Sequence, residues 1–398
     1  MNTIRPKLWR RCHRQSSPSQ ASPLPDELIY EILSWLTVKL LMQLKCVSKS
    51  WKTIISDPKF AKMHLNRSAR NPQLSTEFWI DDCDYSFVHF PLAHLLENRS
   101  ITLPKDPYHQ LWDNVVPNIL GSCNGLLFLR GYDHDEGTKF RRVLCRFWNP
   151  ATRTISDILR TDFSWDDWEF HPFVFGYDNS TDTYKVVALN SEGNDVRVFT
   201  LGDNVWRTIK SFPEDTLPLS SNYGIYNGAY LNCTVNWLAC MRDHWIDNRV
   251  PKYVIVSLDL GTETYSQMLL PEPFDEKLSN VPEHVCVLKG VLCFYHDIKG
   301  TDFIIWQMEE FGDEKSWTQL VQFSYQNIGV NYEIFRSSLL ILRPLHLSEN
   351  GDTLVLKSNQ EDRAILYNRI TNKAKKTRIN RKIHWLMVDY VESLVSPS

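Results

Sequence analysis

From about residue 119 onward, this 398-residue chain repeats one arrangement. A short apolar strand comes first, at residues 124–129, 184–189, 235–239, 291–295 and 353–356. A hairpin arm follows, centred in turn on Trp148, Phe199, Leu258, Trp306 and Tyr367, roughly 50–60 residues apart. The turn after the arm is polar, as in Gly202-Asp203-Asn204, Gly261-Thr262-Glu263-Thr264 and Gly312-Asp313-Glu314-Lys315, and such residues suit tight reversals. Returning arms then begin at Trp206, Tyr265 and Trp317. The chain must therefore build a series of small antiparallel sheets.

Units of this length match kelch-type blades, in which each sheet buries both faces against its neighbours around an axis. That geometry accounts for the aromatic content. Five units cover residues 119–382, while 77–80 and 86–90 precede them and 384–388 follow. If the early strands pair with the last one, a sixth blade closes the ring and leaves no free edge. The expected architecture is a six-bladed propeller; two packed sheets or an open array is the alternative, because the spacings are unequal.

Ahead of the repeats, residues 24–60 carry helical patterning. Pro25 suits a first helical position, and Asp26 and Glu27 suit the first turn, where the helix dipole favours acids. Leu28, Ile29, Ile32, Leu33 and Leu36 recur at helical spacing, as do Val38, Leu41, Leu44 and Val47. Ser48 can cap a third helix holding Trp51, Ile54 and Ile55, which Asp57-Pro58 should stop. Three short helices are predicted. Fewer than roughly 40 residues rarely form a self-sufficient core, so the apolar surplus should lie against a partner or against the rest of the chain.

The fold class read from these patterns is α+β multidomain: a basic, disordered tail over 1–22, a small all-helical domain over 23–66 and an all-β propeller over 72–398. A net charge of −3 argues against a general polyanion binder, so no nucleic-acid partner is expected. No apolar run approaches the roughly 18 residues that span a bilayer, so no membrane partner is expected either. The nine cysteines are odd in number and contain no C-x-x-C pair, which suits reduced thiols in cytoplasm or nucleus.

No G-x-S-x-G elbow, P-loop, H-E-x-x-H or dinucleotide fingerprint occurs, and no catalytic, cofactor-binding or metal-binding residue is nominated. Acidic clusters at Asp81-Asp82-Cys83-Asp84, Asp133-His134-Asp135-Glu136 and Asp166-Asp167 could supply paired carboxylates, but read more simply as solvated loops. Basic residues 373–382 fall on the returning arm of the fifth unit, where alternating charges protect an outer strand. Trp165-Asp166-Asp167-Trp168 could present aromatics to a partner or pack over the ring.

Two sets of residues carry a family resemblance. Leu24-Pro25, Asp26-Glu27-Leu28, Ile32-Leu33, Leu36, Val38-Lys39, Leu41, Lys45 to Trp51 and Ile55 to Phe60 resemble the plant F-box motif. Thr37 stands where many relatives have proline and Leu40 where serine is frequent, which implies a less rigid turn between the first two helices. Gly121 to Leu126, Trp148-Asn149-Pro150-Ala151-Thr152-Arg153, Phe175-Gly176-Tyr177-Asp178, Val256 to Leu260 and Tyr390 to Val395 are similar to the plant F-box-associated interaction domain. The resemblance implies a non-catalytic receptor subunit of a Skp–cullin–F-box ubiquitin ligase. Its F-box would dock a Skp-type adaptor through Leu24, Pro25, Ile32, Leu33, Leu36, Val38, Leu41, Val47 and Trp51, acting as adaptor-facing or module-core positions. Through the adaptor it would meet cullin and RING subunits, and its β-domain would capture a protein client of unknown identity. The alternatives are a propeller enzyme such as a glycosidase, or an F-box protein without ligase activity.

Overall fold

The computed structural model describes residues 24–79, 85–98, 108–109, 118–134, 141–160, 173–190, 195–219, 228–242, 252–271, 274, 284–329, 342–358, 363–377 and 383–397. The expected tail over 1–22 lies outside them, as do the acidic and aromatic clusters at 81–84, 135–136 and 165–168.

Four helices open the chain: α1 (Asp26–Leu33), α2 (Val38–Leu44), α3 (Lys49–Ile55) and α4 (Pro58–Ser68). Ser48 caps α3 as its residue type predicts, its hydroxyl accepting from the Trp51 amide at 3.1 Å. Asp57-Pro58 ends α3 but also starts a fourth helix that the three-helix expectation lacked. Proline occupies the first turn of α4, where no amide is needed, and the Asp57 carboxylate accepts from Lys59 N at 2.8 Å. The turn between α1 and α2 is tied from outside, although Thr37 replaces the usual proline. His64 Nε2 donates to Leu36 O at 2.8 Å, and Arg67 reaches both Glu31 O and Ser34 Oγ.

Six antiparallel sheets follow, as the repeat predicts. Blade 1 runs Asn118–Cys123, Leu126–His134, Arg141–Asn149 and Thr154–Ile155; blade 2 runs Phe173–Asp178, Thr183–Leu189, Val196–Thr200 and Val205–Thr208. Blades 3, 4 and 5 repeat the order around the second strands Thr234–Met241, Val291–Ile298 and Thr353–Ser358. The second strands are buried almost continuously rather than alternately, because a neighbouring blade covers each face. In blade 5 the outer strand Lys373–Lys376 exposes Lys373 and Lys375 and turns Ala374 inward, while 378–382 lie outside the described residues.

Blade 6 closes the ring. Its innermost strand is the chain's last, Ile383–Tyr390, which pairs with the first propeller strand, Gln73–Trp79, placing Gln73 opposite Tyr390. Apolar clusters bridge every pair of neighbouring blades, including Val88 and Phe90 against Val355 and Leu366, and Phe87 and Val388 against Leu127 and Trp148. No blade is left as an open end.

A turn motif recurs with the blades. Asn149, Asp178, Asp259 and Asn368 accept from main-chain amides two or three residues on, through Ala151 and Thr152, Ser180, Gly261 and Thr262, and Thr371. A residue with positive φ follows at Arg153, Asp182, Glu263 and Asn372. Asp178 also pairs with Lys185 at 2.8 Å, and Lys185 Nζ donates to Leu260 O of blade 3 at 2.6 Å. Burial opposes the charge of Asp178, but hydrogen bonds from Lys185, Ser180 and Thr181 hold its carboxyl well below the usual range.

Strand alternation assigns the two faces of the ring. The chain enters at Pro72 and leaves after Tyr390 on one face, which in blades 1 to 5 also carries the turns after the first and third strands. On that face Lys62 of α4 meets Asp182 of blade 2 at 2.6 Å. The opposite face receives the strand ends that flank 135–140, 161–172, 191–194, 220–227, 243–251, 275–283, 330–341 and 359–362.

Candidate functional site

The helical module splits its apolar residues into two sets. Leu33, Leu41, Ile54, Ile55 and Phe60 form its core, and Ile29, Leu36, Leu44 and Trp51 pack against it. Leu24, Leu28, Ile32, Trp35, Leu40 and Val47 face solvent. Leu28 and Ile32 stand four residues apart on one face of α1, with Leu24 just before the helix and Trp35 just after it, so the exposed stripe runs from ahead of the helix to beyond its end. Six of the ten large exposed apolar side chains among the described residues thus fall within residues 24–47. Such a density is higher than the scattered hydrophobes of an ordinary surface.

The stripe ends on an ordered aromatic. The Arg67 guanidinium lies 4.7 Å from the Trp35 ring centroid, and Trp35 Nε1 donates to Glu31 Oε1 at 3.2 Å. Arg67 also pairs with Glu31 at 2.6 Å, and its hydrogen bond lowers the Glu31 carboxyl below its ordinary value. Trp35 is therefore oriented before any partner arrives. Lys39, Lys45, Lys49 and Lys52 give α2 and α3 a basic flank with no acid between residues 32 and 56.

Of the nine residues nominated from sequence, Leu24, Ile32 and Val47 are 57, 54 and 66% exposed, and Pro25 is exposed beside them. Leu36 and Trp51 are half-buried at the margin of the core. Leu33, Val38 and Leu41 are at most 2% exposed, so they hold the module together and offer no surface in this arrangement. Leu28, Trp35 and Leu40 belong to the exposed set but were not nominated. For Leu28 the signal was its four-residue step to Ile32 on one face of α1; Trp35, beyond the end of α1, and Leu40, on α2, had no such signal.

The ring encloses a channel of about 440 Å³ between its innermost strands, with Ala69, Pro72 and Val391 at the face beside the helices. His284, Arg343, His346, Lys289 and Asp389 bring charge or titratable groups to it. Asp389 is the single carboxylate among the described lining residues, so no pair of carboxylates meets in the channel among those residues. Burial pushes His284 down to about 3, with the Arg343 charge adding to the effect. Among the described residues no group of three His, Cys, Asp or Glu could hold a metal ion, and no helix is long and apolar enough to cross a membrane.

A helical docking module carried on a closed six-bladed ring is the substrate-recognition architecture typical of F-box proteins. The F-box associated beta propeller domain matches residues 81–385 and the F-box domain matches residues 22–63, and the chain belongs to this family. It is similar to F-box/kelch-repeat protein At3g23880 of Arabidopsis thaliana, 27% identical over 75% of this chain and 79% of that protein. F-box protein CPR1 of Arabidopsis thaliana is 25% identical over 84% of this chain and 80% of its own length. Among solved structures, a chain of the nidogen/laminin complex aligns over 81% of this chain and 99% of its own, at 9% identity and TM-score 0.42.

Proposed function

We propose that this protein is the client-receptor subunit of a Skp–cullin–F-box ubiquitin ligase. The exposed stripe Leu24, Leu28, Ile32 and Trp35 carries the reading, because an F-box that leaves this much apolar surface uncovered has a partner to complete it. The basic flank of α2 and α3 suits an adaptor with an acidic rim. The ring has no catalytic task of its own here. It holds the client on the face away from the helices, and transfer is promoted by keeping client and ubiquitin-loaded enzyme in one assembly. The seven described cysteines, exposed Cys46 among them, form no disulfide with one another, which supports placing the protein in cytoplasm or nucleus.

The test is co-purification with a Skp-type adaptor. Ile32→Asp and Trp35→Ala should reduce recovery at least tenfold, since a desolvated, unpaired carboxylate costs several kcal/mol and interface tryptophans are frequent anchors. Leu269→Asp, at another exposed apolar position, on blade 3, should leave recovery unchanged. Equal recovery of all three variants would remove the adaptor-docking role. Leu33→Asp is unsuitable as a probe, because it places a charge inside the helical core.

A further inference from the structure

The last residues of the chain do not trail away from the ring. After Tyr390 the segment Val391–Pro397 turns back across the face on which the helices sit, and it binds both bodies. Glu392 bridges them: Oε2 accepts from Val38 N at 3.2 Å and Oε1 accepts from Gln73 Nε2 at 3.1 Å. Val38 opens α2, and the preceding Thr37 makes no side-chain cap, so a carboxylate 354 residues away accepts from one of the amides that the helix start leaves without an intrahelical partner. Leu394 packs against the core of the helical module, while Val395 packs against the cluster shared by blades 1 and 2.

The ring side of this segment is built to receive it. Buried Asn149 donates through Nδ2 to Ser393 O at 3.0 Å and to Val395 O at 2.7 Å, while its Oδ1 shapes the adjoining turn. Ser393 is fully buried and lies so close to Gly125 that a Cβ there would sit 2.2 Å from Ser393 Oγ, at a φ of +82° that also favours glycine. Two features of blade 1 are thereby explained by a segment that belongs to neither blade nor helix.

We propose that Val391–Pro397 is a strap that makes the helical module and the ring one rigid body, and so sets the position of the client relative to the adaptor. The positional role rests on the receptor reading; the rigid coupling does not. Glu392 and Leu394 are positioning residues that touch neither adaptor nor client. Separable halves joined by a simple linker at 66–72 would show none of these contacts.

The experiment uses the full-length chain bound to its adaptor, or alone if no adaptor binds. Hydrogen exchange is followed in α2 and α4 and in blades 3 and 4, and a pair of labels on α3 and blade 4 reports the distance between module and ring. Leu394→Ala with Glu392→Gln should speed exchange in α2 and α4 by about tenfold or more and broaden the distance distribution, leaving blades 3 and 4 unchanged. Leu394→Met should restore the wild-type values, and Gly125→Ala, which pushes on the strap from the ring, should reproduce the broadening. With a client in hand, the double variant should bind it normally and slow its ubiquitination. A narrow, unchanged distance and unchanged helix exchange in the double variant would overturn the strap. If those readouts respond but no ubiquitination is seen even for wild type, the receptor reading fails and the strap stands.

Discussion

The helical module and the ring handle apolar surface in opposite ways. The module buries Leu33, Leu41, Ile54, Ile55 and Phe60 yet shows six large apolar side chains to solvent between residues 24 and 47. In the ring, Val205, Leu269, Phe311 and Ile370 are the large exposed apolar residues among those described, one on each of four blades. Closure explains the contrast: every blade finds a covered face on both sides, whereas helices of 7 to 11 residues enclose only a small core. A self-contained body can carry variable loops. An incomplete one is suited to docking.

The largest expected effect strikes the self-contained half. Asp178→Asn leaves Lys185 buried without its charge partner and should cost about 3–5 kcal/mol in denaturant unfolding of the ring. Replacing both, Asp178→Asn with Lys185→Met, removes the unpaired charge while Asn keeps the turn, as Asn149 and Asn368 do in other blades, and should recover much of that loss. A ring as stable with the single substitution as without it would mean that this pair within blade 2, which carries the Lys185 bond to Leu260 O of blade 3, is not helping to hold the two blades together.

Within the module, a core position and a docking position should diverge. Leu41→Ala should destabilise the helices by about 2–5 kcal/mol, read as lost exchange protection in α1 to α4 with the blades unaffected. Ile32→Ala, on the neighbouring helix α1 but exposed, should shift stability by under about 0.5 kcal/mol. Similar losses from both would erase the division between core and docking faces.

Acid should weaken the ring before its carboxylates titrate. Burial lowers His284 to about 3 and His296 to about 4, against 6.5 for the free side chain. Both are therefore neutral in the fold, and as pH falls below about 6.5 the unfolded chain takes up protons first. Stability is complete above that value and should fall by up to ~1.4 kcal/mol per pH unit for each histidine until its folded value is reached. Urea titrations at pH 7.5, 6.5 and 5.5 check this, and His284→Gln with His296→Gln should lessen the decline, the remainder coming from His89 and His346, which burial lowers to about 3 and about 4. The low carboxyl of Asp178 adds a further loss only below about pH 4, where the unfolded carboxylate protonates.

The smallest effect belongs to the visible ion pair between the halves. Lys62 and Asp182 are 60 and 56% exposed, so Lys62→Ala should change stability by less than about 0.5 kcal/mol. It should also leave the distance between module and ring unchanged. A large response would transfer the coupling role from the strap to the surface pair.

Much of this was legible in the residues. The second, third and fourth strands of the blades announce themselves through apolar runs, the residues Trp148 to Tyr367 at blade spacing, and the polar turns between them. The innermost strands were not separated from their neighbours, because one face lines a channel and the burial pattern is mixed, as in Asn118–Cys123 and Leu342–Leu347. The helical periodicity marked which residues are apolar but not which face is covered. Leu33, Val38 and Leu41 were therefore grouped with exposed Ile32 and Val47, while Leu28, Trp35 and Leu40 were passed over.

Sequence alone determined the local elements: Ser48 makes its cap, Asn149 and Asp178 make their turns, and the repeat sets the number of sheets, because those choices rest on contacts within a few residues. Tertiary structure decided what joins across hundreds of residues. Gln73 finds Tyr390, Val38 finds Glu392 and Leu394 enters a core begun at Leu33, and no local preference encodes such pairings. They form because closing the ring brings the first propeller strand beside the last, and the residues that follow are then delivered to the face where the helices stand.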